Sequence, residues 1–175
     1  MNLQQNIIDN VLECQVKLGI ASMPVSFYYP DTSLCQLLGC KAENLQEACK
    51  EFCQETLDTL GGIVIREVSS EPGRYGITVP STGVDWINAH FKASDFTKAF
   101  VEIIKKPGQT LDGMVDFFKS FSENVIVDKE SPDEWAISFA DDRVDPYVYH
   151  IEENVFGLEY HRFTKEAYSV LFRTK

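Results

Sequence analysis

No window of the chain holds the roughly 18 to 20 consecutive apolar residues that a membrane-spanning helix needs, so a helical membrane protein is excluded. The first residues, MNLQQNIIDN, lack the positive and apolar regions of a secretory signal, and the expected location is cytoplasmic. Basic residues are scarce: 16 Lys and Arg stand against 27 Asp and Glu, a formal net charge of -11. A duplex repels such a chain on average, so tight duplex binding is not expected without a local basic patch. The five cysteines, an odd number, form neither CxxC pairs nor a regular spacing, which excludes a secreted disulfide framework and leaves reduced thiols. GxSxG, HExxH, EF-hand and phosphate-loop patterns are missing, and Leu60-Gly61-Gly62 is too short to cradle a phosphate. No cofactor is expected, and an enzymatic reading is disfavoured.

What is present is patterned. At 175 residues the chain suits a single domain over 1–175, with sub-halves 1–106 and 109–175 meeting at Pro107-Gly108. Ile7, Ile8, Val11, Leu12 and Leu18 recur at the helical period and predict a helix from about residue 3 to 18, stopped by Gly19. Val25 to Tyr29 reads as a strand, and Asp31 or Ser33 caps a short helix ending at Gly39. Leu45, Ala48, Cys49, Phe52, Cys53, Leu57 and Leu60 keep the i, i+3, i+4, i+7 spacing and predict one helix up to Gly61. Two β-rich runs then flank Glu71-Pro72-Gly73-Arg74. Pairing Val68 with Ile77 would put Val64, Arg66, Val68, Tyr75, Ile77 and Val79 on one face. Helices follow through Val84, Ile87 and Phe91, behind Ser94, and behind Thr110. Alternating apolar residues from Val125 to Tyr160 then predict an antiparallel sheet, and a last helix is expected near Lys165 to Phe172. The fold class is α+β.

The element order over SLCQLLGCKAENLQEACKEFCQETLDTLGGIVIREVSSEPGRYGITVP, two helices around a tight turn and then a hairpin, resembles a winged helix-turn-helix. The DNA reading implied by that resemblance meets the charge of its second helix, where Glu43, Glu47, Glu51, Glu55 and Asp58 face only Lys41 and Lys50. Packing scaffold or protein contact is the better expectation. The stretches PVSFYYPDTSLCQLLG and YVYHIEENVFGLEYHRFTKE resemble an uncharacterised bacterial family of similar length, a domain of unknown function; the resemblance implies no activity.

Three groups of residues could carry chemistry. Cys35, Cys40, Cys49 and Cys53 could be drawn as a zinc site, but Cys49 and Cys53 lie on the apolar stripe of their helix, and core is the better assignment. Arg66, a lone cation on the apolar hairpin face, is a candidate anion binder, although snorkelling or pairing is the commoner fate of such a residue. From Asp128 to Glu159 ten acids face two bases, eight net negative charges. Strand alternation puts His150, Glu152, Glu159 and His161 on one sheet face, with His150 opposite Gly157 or Glu159 depending on loop length.

The resulting expectation is a non-enzymatic interaction or regulatory protein whose acidic region, including Asp141, Asp142, Asp145 and Glu152, meets a basic protein partner. An immunity- or antitoxin-like binder is the sharper form of that idea. The alternative is a small metal-dependent or acid-base hydrolase using His150, Glu159 and His161.

Overall fold

The computed structural model describes residues 1–172, which divide into two compact units, Met1–Ala93 and a second that begins at Ser94. The mixture of helices and two antiparallel sheets makes the chain α+β. Pro107-Gly108 falls inside the second unit, between two helices that belong to it. No described helix is long and apolar enough to cross a membrane.

In the first unit, α1 (Leu3–Leu18) begins at Asn2, whose side chain accepts from the Gln5 amide, and ends at Gly19 with φ 66°. β1 (Val25–Pro30) leads into α2 (Asp31–Leu38), which also ends on a left-handed glycine, Gly39. The single helix expected over 45–60 is two, α3 (Leu45–Glu55) and α4 (Leu57–Leu60). At the break the Thr56 hydroxyl donates back to the Phe52 carbonyl at 2.7 Å, a local bond that competes with helix continuation. β2 (Val64–Glu67) and β3 (Arg74–Val79) form the hairpin, β3 pairs on its other side with β1, and α5 (Ser81–His90) follows. The core holds Ile7, Leu34, Leu60, Ile77 and Ile87, with Cys49 only 6% exposed among them.

The hairpin register corrects one expectation. Ile65 pairs with Ile77 and Arg66 with Gly76, because the connection runs well beyond Pro72-Gly73 and Val68 bonds to Arg74. Against the pairing of Val68 with Ile77 this is a shift of three residues, and an odd shift exchanges the two faces of a strand. Val64 and Arg66 are therefore on the exposed side and Ile65 turns to the core.

In the second unit, α6 (Asp95–Ile104) starts at Ser94, whose hydroxyl accepts from the Thr97 amide at 3.0 Å. α7 (Leu111–Lys119) starts at Thr110 in the same way, accepting from Gly113 at 3.1 Å. Four strands follow in sheet order β4 (Val125–Lys129), β5 (Glu134–Phe139), β6 (Tyr147–Asn154) and β7 (Gly157–Thr164), and α8 (Lys165–Phe172) closes the described chain. An aromatic cluster joins α6 and α7 to one sheet face: Phe96 packs on Phe139 and Tyr149, Phe100 on Tyr149 and Tyr160, and Phe118 on Phe139. Tyr168 and Phe172 of α8 meet Ala136, Val148 and Phe163 on the other face. Most of β5 is therefore buried on both sides, which explains its run of buried residues from Trp135 to Phe139.

Candidate functional site

One group of acidic residues in the second unit, Glu130, Glu134, Glu152, Glu153 and Glu159, lies at the end of its sheet nearest the β4–β5 and β6–β7 turns. Register places Glu134 opposite Glu152 and Glu152 opposite Glu159, so three carboxylates cross three strands in one row. The next row on the same face is Ala136, His150 and His161. Period-2 alternation thus delivers the shared His and carboxylate face, but in a register that neither expected loop length produces: His150 stands opposite His161. The reason is the position of the turn. Asn154 pairs with Gly157, leaving only Val155 and Phe156 between the strands. Gly157 takes φ 121°, which a side chain would strain, and the Asn154 carboxamide accepts the Phe156 amide at 2.8 Å.

His150 does not lie on an open sheet face, because α8 covers part of it. Its ring stacks on Phe172 with centroids 5.0 Å apart, and only 11% of the side chain is exposed. Nε2 is buried and lacks a hydrogen-bond partner among the described residues, although Glu130 Oε2 lies 3.4 Å away in poor hydrogen-bond geometry. The other Glu130 oxygen accepts the Tyr168 hydroxyl, which fixes the carboxylate from α8. Glu134 closes the same turn: its carbonyl accepts the amides of Glu130 at 3.0 Å and Ser131 at 3.2 Å. Glu130, Glu134 and His150 each offer a donor atom within 4.8 Å of the others.

Glu159 and His161, by contrast, are exposed and fall outside this group. A cavity on the α8 side, about 150 Å³ and lined by Ala136, Ser138, Val148, Lys165 and Tyr168 among others, lies toward the far end of these strands. Its volume is well under the roughly 300 Å³ at which small-molecule sites begin.

The remaining candidates lie elsewhere. Asp141 forms a forked pair with Arg143, whose hydrogen bonds hold its carboxyl down at about 2. Asp142 pairs with Lys165. Asp145 is buried, accepting the Tyr147 amide at 3.0 Å and the Tyr149 hydroxyl at 3.3 Å, so it holds the entry to β6 and offers nothing to a partner. Arg66 belongs to the first unit and is exposed. All five cysteines are free thiols. Burial, with help from neighbouring Cys53, pushes Cys49 up to about 11.

Sequence reasoning missed Glu130 and Glu134 as neighbours of His150, and it missed the turn itself. Val155 and Phe156 are each 93% exposed, two large apolar side chains at the tip of a hairpin whose strands carry Glu152, Glu153 and Glu159. The Asn154-x-x-Gly157 spacing was the available signal, since Asn and Gly favour the two ends of a tight turn.

Residues 1–172 match the family described as "Domain of unknown function, E. rectale Gene description (DUF3877)". No curated protein and no solved structure matches.

Proposed function

Because the chain belongs to the DUF3877 family, a bacterial family whose description assigns no activity, its role has to be read from its surfaces, and we propose that it is a non-enzymatic protein-interaction module. The β6–β7 tip is its docking element. The observation carrying this reading is the exposure of Val155 and Phe156 on a two-residue turn between acidic strands. Burying a phenylalanine side chain is worth roughly 1.5–3 kcal/mol, and an aromatic at a protruding tip fits the pattern of an interface anchor. The carboxylates of Glu152, Glu153 and Glu159 select the rim of the partner's site. A protein with an apolar pocket edged by Lys and Arg complements them, whereas an anionic membrane or a second copy of this tip is repelled. An immunity- or antitoxin-like binder of a basic protein is one biological form of such a module.

The first unit reads best as a winged-helix-like scaffold. Its order α1, β1, α2, α3, α4, β2, β3, with β3 central in the sheet, supports this. The outward side of α3 carries Glu47, Glu51 and Glu55 against Lys50, a face suited to protein contact and not to phosphate. The free thiols fit a reducing, cytoplasmic setting.

A photoreactive phenylalanine analogue at position 156, crosslinked in cells, would identify the partner for binding measurements with purified proteins. Expected is a roughly tenfold or greater loss of affinity for Phe156→Ser, and an association rate that falls as salt rises. Unchanged affinity in Val155→Ser/Phe156→Ser, with that variant folded, would refute the tip as the docking element.

A further inference from the structure

We propose that Glu130, Glu134 and His150 form a binding site for a divalent transition metal, with zinc the best-fitting ion. Three observations about this chain converge on it. The first is proximity: two carboxylates and an imidazole, the last from a different strand, bring one donor atom each within 4.8 Å of one another. The second is the spacing of the closest pair. A tetrahedral ion with bonds of about 2.0–2.1 Å needs its donors roughly 3.3 Å apart, and His150 Nε2 and Glu130 Oε2 already stand at 3.4 Å. Glu134, at the start of β5, offers the third donor atom, within 4.8 Å of the other two.

The third observation concerns His150 itself. Its Nε2 is buried yet makes no hydrogen bond among the described residues, and leaving such a group unsatisfied costs about 1–3 kcal/mol. A bound cation gives that nitrogen a partner. The ring is held for the purpose by stacking on Phe172, and Glu130 is held by the Tyr168 hydroxyl, the kind of outer support that orients metal ligands. A cation there also offsets the repulsion among Glu134, Glu152 and Glu159. The mixture of imidazole and carboxylate favours zinc over magnesium, which keeps to oxygen ligands and retains its water. Three protein ligands leave a fourth position for water or for a side chain of a partner.

The proposal goes beyond the docking reading and is tested apart from it. Metal-free full-length protein, kept reduced with a non-chelating phosphine, is titrated with Zn²⁺ and Mg²⁺ by calorimetry and followed by thermal melting. The expected result is one Zn²⁺ per chain at micromolar concentration, a raised melting temperature, and far weaker Mg²⁺ binding. Glu130→Gln, in the β4–β5 turn, and Glu134→Gln, at the start of β5, should each weaken Zn²⁺ at least about tenfold, while Glu159→Gln should change it less than about threefold. Cobalt in place of zinc should show no thiolate charge-transfer band. Absence of stoichiometric Zn²⁺ binding, an affinity indifferent to both Gln variants, or a thiolate band that moves the ion to Cys35, Cys40, Cys49 and Cys53 would each overturn the assignment.

Discussion

Replacing Glu152 with Gln should make the second unit more stable. Glu152 is the middle carboxylate of the row Glu134, Glu152, Glu159, directly opposite both neighbours. Directly opposed side chains have Cβ atoms about 5 Å apart, and two like charges at that distance in water repel by about 0.8 kcal/mol. A Debye length of about 8 Å at physiological salt lowers this to about 0.4 kcal/mol, so relieving two pairs gives about 1 kcal/mol. Gln keeps the size and shape of Glu, so packing is unchanged to first order. Hydrogen exchange of the β5, β6 and β7 amides measures the opening free energy of this sheet without requiring the two units to melt together. The gain should be larger at low salt and fall to a few tenths of a kcal/mol in molar salt. A loss of protection in Glu152→Gln, or a gain indifferent to salt, would refute the reading of this row as mutually repelling charge.

Gly83→Ala should destabilise the first unit by about 3 kcal/mol, the upper end of ordinary overpacking, because a Cβ there would stand 2.1 Å from the Leu60 carbonyl oxygen and 2.7 Å from its carbon. Denaturant unfolding followed by Trp86, on the same helix, reads this out, and a loss under about 1 kcal/mol would mean that α5 can slide. Cys49 should resist thiol reagents at pH 8 in the native protein and react on unfolding, since burial raises it to about 11 from 9.0. A thiol raised in the fold stabilises below its unfolded value, so this contribution is intact below pH 9 and is lost as pH climbs from 9 towards 11. Wild type should lose up to about 2 kcal/mol more than Cys49→Ala across that window; parallel pH curves for the two proteins would contradict it.

The sequence by itself determined most of the elements, the break between α3 and α4 at Thr56 being an exception. Helical periodicity with Gly19, Gly39 and Gly61 as stops, and Ser94 and Thr110 as caps, marks where helices begin and end, because these signals act within a few residues of chain. Strand alternation likewise separated Tyr147, Tyr149 and Ile151 from His150 and Glu152 without any knowledge of the partner strands. Tertiary structure decided what alternation leaves open, namely which residues stand opposite one another and what covers each face. Arg66 changed sides because a connection longer than a tight turn shifted its hairpin by an odd number of residues, and His150 met His161 because the β6–β7 turn sits at Val155-Phe156. His150 came to be largely covered beside Glu130 only because α8, arriving after the last strand, lays Tyr168 and Phe172 across that face. Register and coverage depend on chain closure and on contacts between residues far apart in sequence, and a local pattern carries no information about either.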